Sequence, residues 1–157
     1  MNVMSIKRVL LFAILLGVTS LAMARSSNKT EKALETSLKV YAQAVRWNDF
    51  ETAYASTDPT LRAPEGFTED DEAYYKRFQI SGYTVKSSAK ADPQTYSQRV
   101  ELRIIDVSTQ TERTQTDRQN WRWDGAAKRW WLMTANARIR ANVRADAARR
   151  MAAFSAK

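Results

Sequence analysis

Trp121-Arg122-Trp123-Asp124-Gly125-Ala126-Ala127-Lys128-Arg129-Trp130-Trp131-Leu132-Met133 decides the fold class of this chain. Asp124 to Lys128 reads as a glycine-containing hairpin turn, and the aromatic runs on either side of it are the two strands it joins. Side chains alternate across a strand, so Trp121 and Trp123 share one face of the sheet while Trp130 and Trp131 point to opposite faces. One tryptophan of that last pair must therefore be exposed, or covered by another element. Working backwards, period-two patterning predicts strands over 79–90, 95–107 and 112–123, with the last strand of the hairpin over 129–134. In the second of these, Tyr96, Val100, Leu102 and Ile104 form one face and Arg99, Glu101 and Arg103 the other. The third is polar along most of its length.

Upstream of residue 79 the period lengthens. Leu34, Leu38, Tyr41 and Val45 stand on one face of an amphipathic helix over 29–47, with Ser27 as a candidate cap. Asp49 is a good N-cap for a short second helix carrying Phe50, Ala53 and Tyr54, which Asp58-Pro59 ends. Residues 57–72 mix Pro, Gly and acids and read as a loop feeding a third helix over 69–78. The run Glu69-Asp70-Asp71-Glu72 suits the positive end of that helix's dipole and lacks the spaced oxygens and central glycine of a calcium loop, so no metal site is expected. Helices first and a meander after them imply an α+β class: N-terminal helices packed on a curved antiparallel sheet of about four strands.

The two ends of the chain have a different character. Lys7 and Arg8 precede an apolar run from Val9 to Val18, and Ala22 and Ala24 are the small residues a signal peptidase needs, so residues 1–24 read as a cleaved secretory signal. A run of about ten apolar residues falls short of the roughly twenty that span a bilayer as a helix. With no cysteine in the chain, neither a thiol-linked lipid anchor nor a disulfide is available. The expectation is a product exported to the periplasm or beyond the cell, with a domain over 25–134 and a separate basic segment over 135–157. In that segment Ile139, Val143, Ala147, Met151 and Phe154 form a helical stripe over 137–154, among Arg138, Arg140, Arg144, Arg149 and Arg150. Most of the formal charge of +8 belongs to this tail and to the leader, leaving the domain close to neutral. The stripe would dock on the exposed tryptophan face, on a partner protein or on a membrane surface; export argues against nucleic acid.

A long helix, a second helix opening Trp47-Asn48-Asp49-Phe50-Glu51-Thr52-Ala53-Tyr54, a short third helix and a meander ending Trp-x-Trp-Asp-Gly to Trp-Trp-Leu resemble the nuclear-transport-factor-2-like superfamily over residues 29–134. The resemblance implies helices on a curved sheet around an apolar pocket. Such a pocket would be lined by Tyr41, Tyr54, Trp121 and Trp123. It does not imply an activity, because that superfamily holds isomerases, cyclases, ligand binders, secretion-system domains and immunity proteins.

The composition narrows the chemistry. No histidine and no cysteine are present, which removes imidazole bases, Ser-His and Cys-His nucleophiles and the usual zinc and haem ligand sets. What remains is a carboxylate base with tyrosine or arginine stabilisers. Asp117 has the strand parity of Trp121 and Trp123, so it is the catalytic candidate, with Tyr41 or Tyr54 opposite. The plainer alternative is a solvated strand carboxylate paired with Arg118 or with a cross-strand arginine. The expected function is a non-enzymatic envelope protein that binds a partner protein or a small apolar ligand, without a cofactor and open to homodimerisation through its sheet. A component of an envelope assembly, an immunity protein, or a carboxylate-dependent isomerase or cyclase are the competing readings.

Overall fold

The computed structural model describes residues 28–134, together with Ala145, Ala148, Arg149 and Ala152. The expected leader, with Ala22 and Ala24, the candidate cap Ser27, and Arg138, Arg140, Arg144 and Arg150 lie outside the described residues. The four described tail residues are helical and exposed, Arg149 among them.

Helix α1 covers 28–46. It ends where Asn48 takes a left-handed conformation (φ 59°), which asparagine tolerates better than most residues. Helix α2 is Phe50–Ala55, and Asp49 caps it by accepting the Thr52 amide at 3.0 Å. It stops with Ser56 and Thr57 still to come before Asp58-Pro59, because the chain peels off to bond the sheet edge at Leu132 before a short 3₁₀ turn, Pro59–Leu61. Helix α3 is Glu69–Tyr75, also shorter than expected. Its start is a capping box: Thr68 Oγ1 accepts from the Asp71 amide while Asp71 Oδ2 accepts from the Thr68 amide. Asp71 is thus buried in the cap, whereas Glu69, Asp70 and Glu72 of the acidic run are exposed.

Four strands follow as a simple antiparallel meander: β1 (Phe78–Asp92), β2 (Thr95–Asp106), β3 (Thr111–Asp124) and β4 (Arg129–Leu132). The α+β architecture expected from the sequence is therefore the observed one. Strand β1 is bent by three register shifts, at Ile80/Gly82, Val85/Ser87 and Lys90/Asp92, whereas β2 and β3 pair over twelve consecutive residues without a shift. The β3–β4 turn has its left-handed residue at Lys128 (φ 53°), not at Gly125, and Asp124 Oδ1 holds it by accepting the Ala126 and Ala127 amides.

Helix α1 lies across one face of the sheet. Leu34, Tyr41, Ala44 and Val45 from the helix meet Tyr83, Val100, Leu102, Ile104, Trp121, Trp130 and Leu132 from the strands in one apolar core. Trp130 is fully buried and its indole N–H donates to the Thr30 carbonyl, which fixes the start of α1 over the tryptophan hairpin. Lys90 pairs with Glu31 at the same end. At the other end Arg46 donates to the Tyr83 carbonyl and lies over the Tyr83 ring. Away from β4 the opposite face of the sheet is polar and open, with Lys86–Glu101 and Arg103–Glu112 ion pairs.

Candidate functional site

Strand parity places Arg113, Gln115, Asp117, Gln119, Trp121 and Trp123 of β3 on the face that α1 covers. Asp117 is directly opposite Val100, and Gln119 opposite Gln98. Beneath α1 these residues form a polar chain inside an otherwise apolar core. Gln119 Nε2 donates to Asp117 Oδ2 at 2.6 Å and to the Tyr83 hydroxyl at 3.1 Å, while Gln119 Oε1 accepts from Gln98 Nε2 at 2.6 Å and from the Trp121 indole at 3.3 Å. Both donors and both lone-pair positions of the Gln119 amide are used, so a side chain only 1% exposed carries no desolvation penalty uncompensated. Tyr96 extends the chain by donating to Gln98 Oε1.

Asp117 stands at the end of this chain, half-buried. The Tyr41 hydroxyl approaches its Oδ2 to 3.4 Å, long for an O–H···O bond, and the Tyr41 ring meets Trp121 edge-on at 5.6 Å. Burial raises the Asp117 carboxyl above its usual range, with the bonds from Gln119 and Tyr41 acting in the opposite direction. Burial, reinforced by the Asp117 charge, holds Tyr41 protonated well beyond the ordinary phenol range, and burial also raises Tyr83. The pair is a carboxyl that takes up a proton readily beside a hydroxyl that keeps its own. Asp117 has no ion pair with Arg118 or any other arginine among the described residues.

The four aromatic residues expected around one pocket divide between two places. Tyr41 and Trp121 are buried in the core, and Trp123 packs half-buried against Trp130 at 5.9 Å. Tyr54 instead faces an open groove of about 660 Å³ between α2 and the following loop, lined with it by Glu51, Pro59, Ala63, Pro64 and Phe67 among others. That groove has firm walls. The Ala63 amide donates to the Tyr54 hydroxyl, the Gly66 amide to the Ala63 carbonyl, and Arg62 to the carbonyls of Thr57 and Ala55.

Trp131 points away from α1, as its parity requires, and the guanidinium groups of Arg129 and Arg62 lie over its ring at 3.8 and 5.3 Å. The tail expected as its cover lies outside the described residues. Asp58 is buried where the chain after α2 meets β4. The Asp58 amide donates to the Leu132 carbonyl, its Oδ1 accepts from Thr60, and its Oδ2 pairs with Arg122 at 2.8 Å. The Thr60 bond, ahead of Arg122, keeps Asp58 below the usual carboxylate range. Sequence reasoning passed over Gln98, Gln119, Tyr83 and Asp58. Parity with Trp121 was a usable signal for Gln119; nothing local marked the others. Among the described residues no group of acidic side chains could hold a metal ion, and no helix is long and apolar enough to cross a membrane. No family model matches the chain, and no curated protein is similar to it.

Proposed function

We propose that this protein is an exported, non-enzymatic envelope protein of the nuclear-transport-factor-2-like type that binds through the groove beside α2. The signal-like leader supports export, and the order of helices and strands supports the type. The observation that carries the binding reading is the contrast between the two places where the aromatic residues fall. At Trp121 the space under α1 is filled by indole, tyrosine and amide groups bonded to one another. At Tyr54 an open, firmly walled groove presents Tyr54, Phe67, Pro59 and Pro64 with Glu51 at its rim. A preformed groove of this size suits an apolar side chain of a partner protein, or a small apolar ligand of similar volume.

The test is a pull-down from envelope extracts with the wild-type chain, Glu51→Lys and Lys86→Glu. Glu51 is exposed at the groove and Lys86 is exposed on β1, so neither change disturbs the core. A protein retained by wild type and by Lys86→Glu, and lost from Glu51→Lys, fits the reading. Equal retention by all three contradicts it. Titration with a solvatochromic apolar dye separates the two kinds of ligand: dye binding weakened by Glu51→Lys with no protein retained identifies a small-molecule site.

A second reading has one observation in its favour. Asp117, with its raised carboxyl and the Tyr41 hydroxyl beside it, has the composition of a general base and a proton donor. Gln115, the next residue along the same face of β3, is exposed. A turnover abolished by Asp117→Asn with the fold intact would establish a carboxylate-dependent isomerase or cyclase; unchanged turnover would remove it.

A further inference from the structure

Strand β3 is fourteen residues long, but β4 pairs only with Trp121 to Asp124. Met133 and Thr134 carry the contact a little further: the Met133 amide donates to the Asn120 carbonyl, and Thr134 Oγ1 takes the Asn120 amide and donates to the Arg118 carbonyl. From Arg118 back to Thr111, no strand among the described residues pairs with this edge of β3. The bonds at Arg118 and Asn120 show that even-numbered residues turn their amides and carbonyls to this side, so those of Glu112, Thr114 and Thr116 also point outward.

Two features distinguish this edge from the other edge of the sheet. Strand β1 is broken by three register shifts and its edge groups are partly taken: Ile80 donates to Asn48 Oδ1 and the Tyr83 carbonyl accepts from Arg46. Bulges and such caps are how sheets blunt an edge. The β3 edge is regular throughout, as its unbroken pairing with β2 demonstrates. It is also self-complementary. Glu112-Arg113-Thr114-Gln115-Thr116-Asp117-Arg118, laid antiparallel on a second copy with the axis at Gln115, sets Glu112 against Arg118, Arg113 against Asp117 and Thr114 against Thr116. Moving the axis to Thr114 or to Thr116 leaves no opposite charges facing each other.

The charges in this segment are short of partners within one copy. Arg118 stands directly opposite Arg99 on β2, a like-charged pair on the open face, and makes no ion pair among the described residues. Asp117 uses only Oδ2 for Gln119 and Tyr41. Arg113 lies over the Phe78 ring, and Glu112 accepts from Ser81 Oγ at 3.0 Å but faces its one cation among the described residues, Arg103, only at 3.7 Å. We propose that the protein forms a two-fold dimer in which residues 112–118 of β3 pair antiparallel with the same residues of a second copy, joining two four-stranded sheets into one. Thr114 and Thr116 of the two copies exchange backbone hydrogen bonds, and the Arg118 amide donates to the Glu112 carbonyl, while the Arg118 carbonyl keeps its bond from Thr134 Oγ1. On the open face Glu112 of one copy relieves the Arg99–Arg118 opposition of the other. Under α1, Arg113 of one copy reaches Asp117 of the other.

The axis makes a sharp test. Gln115 would face its own copy in a non-hydrogen-bonded pair, with α-carbons about 4.5 Å apart, within the range that a disulfide bridges. The chain has no cysteine of its own. Gln115→Cys, in the full chain as the cell processes it, should cross-link on mild oxidation, whereas Thr114→Cys, which faces Thr116 of the other copy, should not. In sedimentation equilibrium Glu112→Arg and Arg118→Glu should each weaken the dimer by about tenfold or more, and the double exchange should restore it. A chain that stays monomeric at all concentrations overturns the proposal. So does a dimer that the two single reversals leave unchanged, or one in which Thr114→Cys cross-links as fast as Gln115→Cys. None of these outcomes bears on the groove beside α2.

Discussion

Strand β3 holds two unlike regions in one continuous ladder. From Gln119 to Asp124 it is flanked by β2 and by β4 with its extension, lies under the start of α1, and contributes Gln119 and Trp121 to the core. From Thr111 to Arg118 it has β2 on one side only, and every side chain except that of Asp117 is exposed. The backbone is equally regular in both regions. The difference lies in what stands beside the strand: β4 is four residues long, and along β3 the contact of α1 ends where Tyr41 meets Asp117. Regular pairing in a sheet is thus not the same as burial. A strand's own pattern reports the second more than the first.

Removing the heart of the enclosed region should have the largest effect. Trp121→Ala should cost about 3–5 kcal/mol, measured by urea unfolding, because it empties a site packed by Tyr41 and Gln119. Gln119→Leu should cost about 1–3 kcal/mol: its volume is kept, but Asp117, Tyr83, Gln98 and Trp121 each lose a partner.

The boundary between the regions carries a pH signature. Asp117 has its carboxyl raised in the folded state, so its ionisation costs stability; that cost grows as pH rises from the unfolded value of about 3.9 through the folded one. Asp117→Asn should therefore unfold at higher urea than wild type at pH 7, with the gap closing as the pH falls toward 4. Asp58 behaves oppositely. Its carboxyl is lowered, so the stability it adds is present above the unfolded value and is lost as pH falls through the folded one. Asp58→Asn should lose stability at pH 7 and converge with wild type in acid. The smallest effect belongs to the exposed region: Glu112→Arg should change the unfolding free energy of the dilute chain by no more than about 0.5 kcal/mol.

The tryptophan hairpin made most of this architecture legible. Parity from Trp121 placed Asp117 on the face of Trp121 and Trp123 and put Trp130 and Trp131 on opposite faces, and four strands and three helices followed from periodicity. The shortened α2 and α3 were not legible, since both end where tertiary bonds take over, at the Leu132 edge and where the Arg77 carbonyl accepts from the Val107 amide as β1 begins. Tyr54 was grouped with Tyr41 because helix periodicity does not say how two helices turn relative to each other. The amide chain was hidden for a related reason. Gln98 and Gln119 look like surface residues in their own strands, and only the register that brings them together with Tyr83 explains their burial. The self-complementary charges of residues 112–118 were in plain view, but they acquire meaning only once β4 is known to stop short.

The most direct measurement of the two-region account is residue-resolved amide hydrogen exchange on the native chain at a low and a high protein concentration. The account predicts that the Gln119 and Trp121 amides, enclosed by β2, exchange slowly at both, whereas the outward amides of Thr114 and Thr116 exchange fast when dilute and slow down as concentration rises. Thr114 and Thr116 amides protected equally at both concentrations, or unprotected at both while Gln119 and Trp121 exchange just as fast, would contradict it.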